Sequence, residues 1–478
     1  MNNFTTLLPL LIIVLASLFV LILDVFLKKE NRDYLAYISL AFLVFCALIT
    51  LRFWDKGYSY FNGALFLDNL SIFLSFLFFI AIALVILVSM KYISLQDTNL
   101  GEYYSLLLLA LSGMMIMVSS RDFLVIFLGL EVLSISSYAL AGLRLNDKKS
   151  SEAALKYFLL GSFASAFLVY GIALLYGASF STDITTIFNS FKSGSSLSVM
   201  ALAGLGMVII GFGFKIAVVP FHMWTPDVYQ GAPTPITSFF SVGPKWVGFA
   251  VLLRLFEPYW KVALNSQAIF YLLWIISALT MVVGNLVALR QTNVKRILAY
   301  SSIAHAGYLL VAVLAQDSAS TIFYLTVYLF MNMGAFAAII GLSKKDKEYL
   351  ELEDYAGIGF KYPWIGATFS IFLFSLAGFP PTGGFLAKFY VFSNAVNQGL
   401  LALVIIGVLA SLISVFYYLR IIVYMYMKEP SHDVEINVNN PALFLVLFIC
   451  LYGVLQLGIF PGNTLAFIKQ AVSSLAIF

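Results

Sequence analysis

The sequence predicts an all-α polytopic membrane protein of about 14 transmembrane helices, with two inverted five-helix repeats at its centre. Three observations carry this: the composition, a series of apolar stretches of bilayer length, and two regions where helix breakers interrupt such stretches. Of 478 residues, 62% are hydrophobic and 10% charged, against about 25% charged in a soluble domain. The net charge of +4 is small and no basic tract points to nucleic acid. Cys46 and Cys450 both lie in apolar runs, which argues against a disulfide framework, an iron–sulfur site or a zinc cluster. His222, His305 and His432 are too scattered for a haem or copper centre. The chain therefore carries no redox cofactor of its own.

Runs of 17–25 apolar residues suffice to cross the hydrocarbon. They fall near 4–27, 34–51, 69–90, 103–119, 122–142, 154–177, 200–222, 234–253, 266–289, 297–314, 320–342, 363–396, 400–419 and 442–460. The start, MNNFTT, lacks a basic n-region, so the first run is expected to stay as a span. Arg121 and Asp122 alone separate the fourth and fifth. Loops after odd-numbered spans hold 16 Lys and Arg and those after even-numbered spans hold 7, with Arg254 and Lys295 among the loop residues. The positive-inside rule then places both termini outside.

Four lysines remain within spans, Lys156, Lys215, Lys245 and Lys388, together with Glu131 and, near the end of the first span, Asp24. Burying four lysines and one glutamate in hydrocarbon opposes insertion by roughly 10–15 kcal/mol unless they face water or one another. Lys156 opens its span and can equally snorkel to the interface. Asp24 reads as interfacial, and Lys245 follows Gly243-Pro244 near a helix end. Lys215, Glu131 and Lys388 lie deeper. His305, in SSIAHAGY, fits either a proton relay or an interhelical hydrogen bond. His222 lies beside a break and reads as structural.

Seven of 13 prolines cluster in two regions, at 220, 226, 233, 235 and 244 and at 380 and 381. Non-helical backbone at membrane depth is tolerated only where protein buries it or it lines a cavity. A pair of interrupted spans in corresponding positions of two halves points to an ion path. Each interrupted region carries a lysine, Lys215 or Lys388, 173 residues apart, and Glu131 and His305 are 174 apart. Spans 4–8 and 9–13 then form the two units, broken at spans 7 and 12. The single membrane domain divides into three N-terminal spans over 1–100, repeats over 101–260 and 261–427, and a last span over 428–478.

The stretches GLEVLSISSYAL (129–140), GFGFKIAVVPFHMWTPDVYQGAPTP (211–235), NVKRILAYSSIAHAGY (293–308) and AGFPPTGGFLAKFYVF (377–392) resemble the antiporter-like membrane subunits of respiratory complex I. The likeness spans essentially the whole chain and is closest to the N-type branch. No long C-terminal lateral helix follows, as in the L type, and Lys388 stands where the M type typically has glutamate. The resemblance implies proton transfer through Glu131, paired with Lys215 on the broken seventh helix, then Lys245, His305 and Lys388, with Lys156 in the input half. It implies partner subunits M, K and J in the membrane, and FMN, iron–sulfur clusters and quinone in partner subunits. A bacterial inner membrane is the implied location. The alternative is a subunit of a multi-subunit Na+/H+ antiporter. No phosphate loop, metal cluster or nicotinamide fingerprint is present in the sequence, so the driving energy is expected from neighbouring subunits.

Overall fold

The computed structural model describes residues 4–28, 31–95, 101–192, 197–256, 260, 267–344, 348–430 and 440–476; His432 lies outside these. Three helices come first, α1 (Phe4–Phe26), α2 (Asp33–Leu51) and α3 (Asn69–Leu95), with a small hairpin, β1 (Tyr58–Tyr60) and β2 (Leu65–Leu67), between the second and third. Next come α4 (Glu102–Val118), α5 (Phe123–Ala141), α6 (Lys148–Ser179), the short α7 (Ile184–Lys192), α8 (Val199–Ile216), α9 (Trp224–Gly231) and α10 (Thr234–Phe256). The second half continues with α11 (Gln267–Ala288), α12 (Val294–Leu314), α13 (Ser318–Gly341), a single turn α14 (Ile358–Lys361), α15 (Pro363–Ala377), α16 (Gly383–Asn397) and α17 (Leu401–Met427). The chain closes with α18 (Pro441–Ile459) and α19 (Gly462–Ser473).

Among the described residues twelve helices are long and apolar enough to cross a membrane, and α4 and α15 are shorter apolar helices. The protein is a multi-pass membrane protein. Span 200–222 ends at Ile216, and after a turn the chain restarts as α9; span 363–396 is two helices, α15 and α16. The hairpin, α7 and α19 were not anticipated from the sequence.

Local chemistry sets the boundaries. Asp122 caps α5 by accepting from Leu124 N and Val125 N, which explains how two residues suffice to divide the fourth and fifth spans. Asp147, Asn293 and Asp317 cap α6, α12 and α13 in the same way. Both interrupted helices end in a left-handed residue, Ala217 (φ 61°) and Gly378 (φ 92°). Each break then holds a cis proline bond, Val219–Pro220 or Pro380–Pro381.

Several of these markers recur along the chain. The caps Asp122 and Asn293 are 171 residues apart, as are Gly113 and Gly284, whose added Cβ would stand 2.7 Å from Leu133 N and Ala304 N respectively. Asp147 and Asp317 are 170 apart and the left-handed residues 161 apart. On this register Glu131 falls opposite Ser302 and Ser134 opposite His305, while Lys388 falls opposite Asp227. Equal spacing of titratable residues along the chain is thus a different relation from equal position in the fold.

The core runs through the middle of the bundle: α10, α12 and α13 are buried on nearly every face. A helix apolar all round is a central one, and these three hold Lys245 and His305 away from lipid.

Candidate functional site

The first half of the site lies between α5, α6 and α8. Lys215, in the last turn of α8, is 2% exposed. Its ammonium donates to Ser134 Oγ at 2.9 Å and sits 5.8 Å from the centre of the Tyr157 ring. Glu131, one turn before Ser134 on α5, accepts from Ser165 Oγ at 2.6 Å. No ion pair within 4.0 Å joins Glu131 to Lys215 among the described residues. Ser134 holds the ammonium and Ser165 the carboxylate. Ser134, Tyr138, Ser165 and Lys215 line a cavity of about 10 Å³ there, about the smallest that holds one water.

Lys156 stands apart from this group. It lies near the start of α6, its side chain 41% exposed, bound to Glu152 at 2.7 Å and Asp227 at 2.6 Å. Asp227, on the short half-helix α9, also takes Arg296 at 2.8 Å. Lys295, beside Arg296, donates to Ala232 O at the end of α9 and lies 3.7 Å from Glu348. The half-helix after the first break is therefore clasped by cations from both halves.

The second half of the site is a hydrogen-bonded system. Lys245, on α10, donates to Ser302 O at 2.7 Å and to Ser302 Oγ. Ser301 bonds Tyr418 OH, which lies 3.3 Å from His305 Nε2, and His305 Nδ1 meets Tyr324 OH at 2.7 Å. Both ring nitrogens of a fully enclosed histidine are thereby engaged. Tyr417 OH donates to Asn285 Oδ1 at 2.9 Å, and Asn285 Nδ2 donates to Tyr308 OH at 3.0 Å. Lys388 lies 5.3 Å from the centre of the Tyr308 ring.

Lys388 shows why a lysine belongs at a break. Its ammonium donates to Leu376 O at 3.0 Å, Ala377 O at 2.8 Å and Ser411 Oγ at 2.9 Å. The two carbonyls are at the end of α15, where no further turn supplies their partners. Breaking the helix supplies acceptors, and among the described residues no carboxylate pairs with the charge. The same lysine sits at the floor of a cavity of about 690 Å³ between α16 and α17.

The structure thus groups Glu131 and Lys215 around serines, holds Lys245 on Ser302, engages His305 with Tyr324 and Tyr418, sets Lys388 against the Tyr308 ring, and leaves Lys156 at the edge. The tyrosines, Asn285 and the two serines were not singled out from the sequence. The adjacent pair Tyr417-Tyr418 and the helical spacing of Tyr324 and Tyr328 were the available signals. Two loop assignments are corrected: Arg254 lies in α10, paired with Asp68 at 2.7 Å with both side chains 1% exposed, and Lys295 is fully buried in α12. Among the described residues no three His, Cys, Asp or Glu side chains come together as a metal site requires.

Residues 120–414 match the family described as NADH:quinone oxidoreductase/Mrp antiporter, TM. NADH-quinone oxidoreductase subunit N of Trichlorobacter lovleyi is 45% identical, over 98% of this chain and 97% of that one. Subunit N 2 of Koribacter versatilis is 42% identical over 99% and 96%. A chain of respiratory complex I from Thermus thermophilus superposes with a TM-score of 0.82 at 32% identity, covering 96% of this chain and 98% of that chain. A chain of the Mrp complex from Dietzia, at 19% identity and a TM-score of 0.82, covers 99% and 98% and shares the fold. The chain belongs to the NADH:quinone oxidoreductase/Mrp antiporter family of membrane subunits, on the branch of the NADH-quinone oxidoreductase N subunits.

Proposed function

We propose that this chain is a proton-translocating membrane subunit of an NADH:quinone oxidoreductase, moving protons while electrons pass from NADH to quinone in other subunits. The observation that carries this is the set of three buried lysines, Lys215, Lys245 and Lys388, each held by hydroxyls or carbonyls and, among the described residues, none by a carboxylate within ion-pair distance. A lysine so placed carries a proton but cannot ligate sodium, which favours protons as the cargo.

Glu131 and Lys215 form the input pair, and approach or separation of their charges across Ser134 and Ser165 sets how firmly Lys215 holds its proton. Lys156, bound to Asp227, supports the half-helix beyond the break. Lys245 and His305 pass charge through Ser302 and the tyrosines to Lys388. The repeats at 101–260 and 261–427 are the two half-channels, flanked by 1–100 and 428–478. Subunits M, K and J are the neighbours, in a bacterial inner membrane with both termini outside. FMN, iron–sulfur clusters and quinone belong to partner subunits.

In membrane vesicles holding the whole complex, Lys215→Ala is expected to abolish proton pumping and most coupled quinone reduction, with assembly intact on a native gel. Pumping and turnover at wild-type rates in the assembled variant would reject the carrier role.

A further inference from the structure

Resting on that proton-translocating reading, we infer that Thr280 of α11 is a positioning residue for Lys215, fixing from the second half of the chain where the first broken helix ends. In an unbroken α-helix the amide of Val219 would donate four residues back, to the carbonyl of Lys215 itself. It donates instead to Thr280 Oγ1 at 3.0 Å. Thr280 is fully buried, and its own hydroxyl donates to Ile276 O at 2.5 Å. An amide N–H only donates and a carbonyl only accepts, so both directions are settled: the threonine oxygen receives the Val219 N–H.

The rest of the turn is held from nearer by. Ala217 N and Val218 N return to Phe214 O and Gly213 O within α8, and the Trp224 indole of α9 donates to Phe214 O at 3.0 Å. Of these bonds, only that of Val219 reaches the second half of the chain. The other interrupted helix supplies the contrast. Val219 stands two residues beyond the left-handed Ala217; two beyond the left-handed Gly378 is Pro380, which has no N–H to satisfy. The first break keeps an amide and therefore needs an acceptor. Without Thr280 Oγ1 that amide is either left unpaired in a buried turn, at the full desolvation cost of the group, or drawn back to the Lys215 carbonyl. Either change moves the last turn of α8, and with it the ammonium that donates to Ser134 Oγ at 2.9 Å.

The test uses the whole complex in vesicles, comparing wild type, Thr280→Val, Thr280→Ser, Ser134→Ala, the Thr280→Val/Ser134→Ala double variant and Lys215→Ala. Pumping per electron is normalised to assembled complex. Thr280→Val keeps the shape and removes the hydroxyl; it is expected to lower pumping about fivefold, the rate equivalent of one lost hydrogen bond. Ser134→Ala, which removes the oxygen that holds the ammonium, lowers it by a similar factor. Thr280→Ser, which keeps an acceptor, stays within about twofold of wild type. Because Thr280 acts through the seat of Lys215 on Ser134, the double variant is no worse than the more damaging single variant, whereas two unrelated packing defects would multiply. Wild-type pumping in either single variant, a Thr280→Ser as impaired as Thr280→Val, or a double effect equal to the product of the singles overturns the inference. If Lys215→Ala itself pumps normally, the underlying reading fails instead. Should Thr280→Val fail to assemble, Thr280→Cys, whose thiol accepts only weakly, carries the same expectations.

Discussion

Glu348 shows how a charge is kept in a crowded place. It takes Arg144 at 3.1 Å and Lys295 at 3.7 Å, and it also bonds Tyr92 and Thr234. Burial pushes its carboxyl up, but the Lys295 and Arg144 charges more than offset this and hold it at about 2. Because the value is depressed, its stabilisation is present above the ordinary carboxylate range and is lost only as pH falls through about 2. Glu348→Gln leaves two cations facing each other, which costs about 3–5 kcal/mol for a buried pair. The thermal midpoint of the detergent-solubilised complex is expected to fall, by the same margin at about pH 5 and pH 6.5. A gap that closes toward pH 5 would contradict the assignment. Sequence offered little of this: Lys295 looks like a loop lysine because its acid lies 53 residues away, and the tyrosines are counted among the hydrophobic residues.

At the scale of elements, the spans were legible because hydrocarbon demands about 20 apolar residues in a row. The two breaks were legible because proline and glycine announce them. The hairpin, α7 and α19 were not, since segments of 3–12 residues leave no periodic signal of comparable strength. Nor was the pairing of helices, which depends on where small residues permit close approach. Gly284→Ala tests one such place: the new Cβ would lie 2.7 Å from Ala304 N, backbone that cannot yield as a side chain does. Overpacking of this kind costs about 1–3 kcal/mol. The substitution is expected to lower the thermal midpoint. An unchanged midpoint would mean α11 and α12 can separate freely.

Over the whole molecule, the two interrupted helices share a plan but not their chemistry. One ends its helix break with Lys215 before the turn, the other places Lys388 after it, so the halves hold charge by different means. Candidate lysines were legible because charge in an apolar run is conspicuous; their partners were not, because serines, tyrosines and freed carbonyls are ordinary in sequence. Lys245 lies in the buried α10 and donates to Ser302 of α12, so in the proposed path it carries the proton on from the first unit. The most direct test is therefore proton pumping by vesicles carrying Lys245→Ala, with assembly and quinone-linked electron transfer measured alongside. The account predicts an assembled complex whose pumping falls on the order of a hundredfold, as loss of a proton-transfer group does. Pumping and turnover at wild-type rates would contradict it.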